Sequence, residues 1–384
     1  MKKIITLLLS AAVLAFALAG CSQDPEEEAT ATGSGEPSPA ATSPAPDNEL
    51  HAEAMVLLNL LNNYNGDDFD AFFDELMFEH SADPGGLSSF PGGYLFREGD
   101  MVPEFHDASA ALEVGEISGL VESNFGYHII YRLPLNYDDI PFGYVIENDY
   151  RTLRQIAAAD AYNAILAEWR EALTPSYTAE YELIDLPALL ALLNDSYVIE
   201  YNDAFAAFSP DTPMVYINDH VVTWGELFSH IFVNISYTIY NMGGLPDLSQ
   251  DYPMTDMNFG EALLHYSTES AINMRAYLYG ADMHGVTLTQ DDITLFTDHI
   301  ETMLETFGSM DELLTVLWEE QGAYSLDLYE YISLNTYLLP TNIYNYLFGE
   351  EGELLSADII EEFATREGYM LAKHILLSAA EDDE

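Results

Sequence analysis

Between residues 83 and 130 the chain reads Asp83-Pro84-Gly85, Gly92-Gly93-Tyr94-Leu95-Phe96, Met101-Val102-Pro103-Glu104-Phe105, Gly115-Glu116-Ile117-Ser118 and Phe125-Gly126-Tyr127-His128-Ile129-Ile130, in that order. The series alternates turns with short apolar pairs and closes on Tyr127-His128-Ile129-Ile130-Tyr131, whose alternating character predicts a strand. A second histidine-bearing strand, Ala372-Lys373-His374-Ile375-Leu376-Leu377, stands far downstream. Just upstream, Ala54–Leu61 is an apolar helical run. Residues 67–77 form another, with Phe69, Phe72, Phe73 and Leu76 at helix spacing.

Further out, residues 150–173 and 186–193 read as helices, separated by a polar passage. A seam at Pro210–Pro213 opens a short hairpin, Val215-Tyr216-Ile217 against His220-Val221-Val222 around Asn218-Asp219. Thr223-Trp224-Gly225-Glu226 then has the spacing of a capping box. Helices are predicted over about 258–283, 290–307, 310–321, 326–347 and 357–366, with Gly285, Gly308, Gly322 and Gly349 as stops and Pro340 kinking or breaking the fourth of them. The elements are those of an α+β chain: short strands among helices, then a mainly helical stretch.

Ten Lys and Arg stand against 66 Asp and Glu, a formal charge of −56. Nucleic acid and anionic head groups need a basic surface and are poor partners for such a chain. Apolar content of 49% argues against global disorder. At the start, Lys2 and Lys3, the apolar stretch Ile4–Ala17 and Leu18-Ala19-Gly20 read as a secretory leader over residues 1–20. The one cysteine follows at Cys21. Leu-Ala-Gly-Cys resembles the bacterial lipobox, which implies lipid on Cys21 and an extracytoplasmic, membrane-held protein. Lipidation there leaves no thiol for disulfides, catalysis or metal binding. Residues 21–49, rich in Ser, Thr, Ala, Pro and Glu, read as a flexible tether spanning roughly 25–30 Å. The acidic stretch Asn65–Asp74 lacks the Gly and Glu of a calcium loop and reads as a solvated helix start. No metal and no cofactor are expected.

The motif series from Asp83 to Ile130 resembles parvulin-type (PpiC-like) peptidyl-prolyl cis-trans isomerases. The helical lobe resembles the chaperone segment of the secreted PrsA-like and SurA-like foldases, more weakly, through its hairpin and capped helix. The resemblance implies an isomerase body over 50–135 completed by strand 370–378, a helical return over 136–195 and a chaperone lobe over 212–368. Those proteins usually run helical segment, isomerase domain, return. Here the order is rotated, as a circular permutation would give. A truncated two-domain protein and an assembly error are the alternatives.

By the same resemblance Asp83, His128, His374 and Ser123 form the catalytic constellation. Leu95, Met101, Phe105 and Phe125 bind the substrate, with Met101 and Phe105 sharing one face of a helical turn. Two departures stand out: the stretch from Gly93 to Met101 is about two residues short, and Tyr94 stands where Asp is usual. The acidic Glu381-Asp382-Asp383-Glu384 would repel phosphate, so phosphoSer-Pro selectivity is not expected. The implied activity is noncovalent isomerisation of X-Pro bonds in unfolded or partly folded secreted polypeptides. The alternative is a catalytically weak holdase that keeps the fold as a binding module.

Overall fold

The computed structural model describes residues 48–89, 91–138 and 151–378. The leader, Cys21, the tether and the acidic 381–384 lie outside the described residues. The described residues divide into two compact units, one of residues 161–350 and one combining those from 48 to 160 with 351–378.

The divided unit begins with α1 (Asn48–Asn62) and α2 (Phe69–His80). Asp68 caps α2 by accepting from the Ala71 N–H, so the acidic stretch before it serves as a helix start. β1 (Tyr94–Phe96), α3 (Pro103–Ala110), β2 (Val121–Ser123) and β3 (Gly126–Leu133) follow. α3 starts at Pro103 after Val102, so Met101 precedes the helix and shares no helical face with Phe105. Pro at N1 explains the late start, since its fixed φ suits the first helical position.

The chain then enters α4 (Leu153–Glu171), whose residues from Ala161 on belong to the other unit. There β4 (Pro175–Tyr177), β5 (Pro213–Ile217) and β6 (His220–Thr223) make a three-stranded antiparallel sheet in the order β4-β5-β6. β4 falls in the polar passage; all three of its residues are exposed, so no alternation marks it. The helix at 186–193 is shorter than expected, Leu186–Leu190. Asn218 takes a left-handed conformation in the β5–β6 turn, as short polar side chains tolerate.

Five long helical segments follow: α5 (Trp224–Met242), α6 (Phe259–His284), α7 (Gln290–Phe307), α8 (Met310–Gln321) and α9 (Leu326–Ser333) continuing through a π turn, Leu334–Leu338, into α10 (Leu339–Phe348). Pro340 lies at the start of α10. Having no N–H and crowding the preceding turn, it disturbs the α-helical bonding there, and the widened π turn lets the helix continue past it. Gly285, Gly308 and Gly322 close α6, α7 and α8 in the left-handed conformation. The expected capping box at α5 is only half made. Thr223 accepts from the Glu226 N–H, but the Glu226 carboxylate turns inward to Arg275, itself 1% exposed. The core of this unit runs from Trp169 through Phe228, Phe232 and Ile272 to Ile343.

The chain finally returns to the first unit with α11 (Ala357–Glu367) and β7 (Met370–Leu377). β7 takes an inner position in a four-stranded sheet of order β1-β7-β3-β2, antiparallel throughout. Its register against β3 runs from Tyr127–Leu377 to Leu133–Leu371, which sets His374 opposite Ile130 and His128 opposite Leu376. One sheet face packs Ile129, Tyr131, Ile375 and Leu377 against α1 and α2. The other packs Tyr94, Phe96, Ile130 and Ala372 against Phe105 of α3. Lys373, on the α2 side, is 5% exposed. Its ammonium pairs with Asp74 at 2.6 Å and lies 5.7 Å from the Phe73 ring centre, fastening β7 to α2. Among the described residues no helix is long and apolar enough to cross a membrane.

Candidate active site

Strand period decides what faces α3. His128 and Ile130 on β3, and Ala372 and His374 on β7, alternate onto one face, where the two imidazoles stack at 5.1 Å and 12°. Asp83 reaches them through its own backbone. The Ala82 N–H donates to Leu376 O at 2.7 Å, and Ser81 Oγ accepts from the Leu376 N–H at 3.1 Å. The segment before Asp83 thus borders β7 beside His374. At the other end, the tight Ser123–Gly126 pairing of β2 with β3 swings Ser123 back onto His128.

The result is one continuous hydrogen-bonded line. Ser123 Oγ lies 2.6 Å from His128 Nε2, His128 Nδ1 lies 2.9 Å from His374 Nδ1, and His374 Nε2 lies 2.8 Å from Asp83 Oδ2. Two ring nitrogens that face each other must share one proton. If the Nε2–H of a neutral His374 donates to the carboxylate, its Nδ1 accepts from His128. His128 Nε2 then accepts from the Ser123 hydroxyl, whose oxygen takes the Phe125 N–H at 3.1 Å. Every member is satisfied in that direction.

Asp83 also accepts from the Tyr94 hydroxyl at 2.6 Å and from the amides of Gly85 and Gly86 at 3.1 and 3.0 Å. Burial pushes its carboxyl up, but the hydrogen bonds from His374, Tyr94 and Gly86 outweigh that and hold it at about 2. His128, 3% exposed, is pushed down to about 4 by burial and by neighbouring His374, against the opposing pull of Asp83. It is neutral at physiological pH.

Phe105 closes the apolar side, its ring edge-on to His374 at 5.1 Å and to His128 at 5.8 Å. Met101, partly buried, joins the same cluster from the segment before α3. Phe125, 58% exposed, stands at the Ser123 end. Leu95 is not brought here. Its neighbours Tyr94 and Phe96 face Phe105, so strand alternation turns Leu95 to the opposite face, opposite Leu371 of β7. β1 has only three residues, and Tyr94 takes the inward place. Tyr94 and the Gly85–Gly86 amides are the contributors that sequence reasoning missed. The alternation of Tyr94 and Phe96 about Leu95 is the signal that could have found the first.

One face of the four-stranded antiparallel sheet thus sets a paired-histidine line against Phe105. Residues 39–133 match the family described as "Rotamase: PPIC-type PPIASE domain", and the chain carries a domain of that family. It is similar to the foldase protein PrsA of Halalkalibacterium halodurans, 46% identical over 17% of this chain and 18% of the relative. It is similar to the chaperone SurA of Chromohalobacter salexigens, 38% identical over 32% and 27%. The putative peptidyl-prolyl cis-trans isomerase Cbf2 of Campylobacter jejuni is 43% identical over 21% and 30%. The chain thus spans less than a third of the length of these curated relatives. No solved structure gives a significant match.

Proposed function

We propose that the chain is an extracytoplasmic peptidyl-prolyl cis-trans isomerase acting on X-Pro bonds of unfolded or partly folded secreted polypeptides, held to the membrane by lipid on Cys21. The observation that carries the catalytic part is the unbroken line Ser123–His128–His374–Asp83 set against Phe105.

Rotating a peptide bond costs about 18–20 kcal/mol because the C–N bond loses its partial double character. In the twisted amide the carbonyl oxygen sheds negative charge and the nitrogen regains a lone pair. A fixed anion near the carbonyl disfavours the planar, charge-separated amide more than the twisted one, and apolar surface at Phe105 and Met101 would hold the proline ring while this happens. Asp83 suits an electrostatic role better than a nucleophilic one: its two oxygens already accept from four donors. A ten-thousandfold acceleration needs about 5.4 kcal/mol of preferential stabilisation, within reach of preorganised charge in a dry site.

A protease-coupled assay on a short Ala-Pro peptide tests this. Turnover is expected in the wild type and a loss of tenfold or more in His128→Ala and Asp83→Ala; turnover untouched by both would falsify the proposal. The rotated order of segments is read here as a circular permutation, a reading supported by the inner place of β7.

A holdase reading is favoured by one further observation. The unit of residues 161–350 contains a mostly apolar cavity of ≈ 1170 Å³, lined in part by Tyr237, Phe259, Met274, Phe296 and Tyr337. Client capture there would leave suppression of aggregation intact in His128→Ala.

A further inference from the structure

We infer that Tyr94 is a positioning residue of this site, its hydroxyl fixing the Asp83 oxygen that receives His374. The inference rests on the isomerase reading above and goes beyond it, since Tyr94 is not among the residues that the parvulin resemblance places in the site.

Tyr94 touches two members of the line at once. Its hydroxyl donates to Asp83 Oδ2 at 2.6 Å, and its ring meets the His374 imidazole edge-on at 5.9 Å and 74°. Backbone pairing makes this contact inevitable: Tyr94 is registered opposite Ala372, two residues from His374 on the neighbouring strand and on the same face. At 6% exposure the side chain has little access to water, so the hydroxyl needs a protein partner. A buried tyrosine that merely satisfied its hydroxyl could do so on any acceptor. Tyr94 instead lands on the oxygen that also accepts from His374 Nε2 at 2.8 Å and from the Gly86 amide at 3.0 Å.

Three donors on one carboxylate oxygen fix both its direction and its charge. The groups facing Asp83 are His374 from β7, Tyr94 from β1 and the amides of its own turn, with His128 one step behind His374. Removing the phenol leaves His374 as the one side-chain donor to Oδ2, so the carboxylate loses a stabilising bond in its ionised form and becomes free to swing. Tyr94 therefore acts through Asp83 and need not touch the substrate.

Tyr94→Phe removes the hydroxyl and keeps the ring. Two readouts follow. By carbon NMR of labelled aspartate, the pH at which the Asp83 carboxyl protonates should rise by about one unit, a tenfold change in proton affinity. In the Ala-Pro assay, kcat at neutral pH should fall about three- to tenfold with KM within twofold. A variant indistinguishable from an active wild type in both readouts overturns the inference and leaves the isomerase proposal standing. A wild type without turnover sinks the isomerase proposal instead, and the carboxyl titration still decides what Tyr94 does to Asp83. If Tyr94→Phe fails to fold, replacement by 3-fluorotyrosine decides: its more acidic phenol should lower the carboxyl titration, and an unchanged titration overturns the inference.

Discussion

Two of the four donors to Asp83 are amides of its own turn, which has no room for a side chain at Gly86. A Cβ placed on Gly86 would lie 2.8 Å from Asp83 Oδ2, so Gly86→Ala must push the carboxylate off its amide. The expected result is a loss of about 1–2 kcal/mol in denaturant unfolding and a fall in turnover, both measurable on one preparation. His128 gives a prediction with a definite sign. Its folded pKa of about 4 lies below its ordinary 6.5, so the unfolded chain takes a proton that the folded chain refuses. The stabilisation is whole above pH 6.5 and is lost as the pH falls towards 4. Between those limits the wild type should lose about 2–3 kcal/mol more than His128→Gln, as read by urea unfolding at several pH values. The histidine pair could be anticipated because each member sits in an alternating strand whose pattern is local. The Tyr94–Asp83 bond could not, because it depends on the register of β1 against β7, which no local pattern sets.

Helices and caps follow from neighbours in the chain, and that is why α6, α7 and α8 were readable almost to the residue. Thr289 and Asp292 exchange reciprocal capping bonds within three positions. Glu226 shows where local logic gives way. It stands at the right place for a capping box, yet its carboxylate is claimed by Arg275, forty-nine residues on and almost fully buried. Glu226→Gln should cost about 3–5 kcal/mol, because it strands a buried guanidinium, and calorimetry should show the loss in the transition of the helical unit. β7 makes the complementary case. Without it, β1 and β3 would expose unpaired edges and the line would end at His128. Deleting residues 370–384 should therefore abolish Ala-Pro turnover. It should also strip amide-exchange protection from β1 and β3 while leaving α5 and α6 protected.

At the scale of the molecule, 66 acids against ten Lys and Arg repel one another in any compact state. Raising salt from about 0.1 M to about 1 M shortens the screening length from about 10 Å to about 3 Å, and the melting temperature should rise with it; a flat or falling curve would show that the acids are spread too thinly to matter. Motifs on one side and capped helices on the other are what was readable of the two units, and 357–366, read as part of the helical lobe, falls in the other unit with β7. The division within α4, between Asp160 and Ala161, was not readable, because a continuous helix carries no mark of which core each turn serves. The order of parts also has a temporal meaning. His128 and His374 are 246 positions apart, and a ribosome delivers the first long before the second. A nascent chain therefore holds three of the four polar groups long before it holds the fourth. The proposed site is complete only once β7 takes its place between β1 and β3.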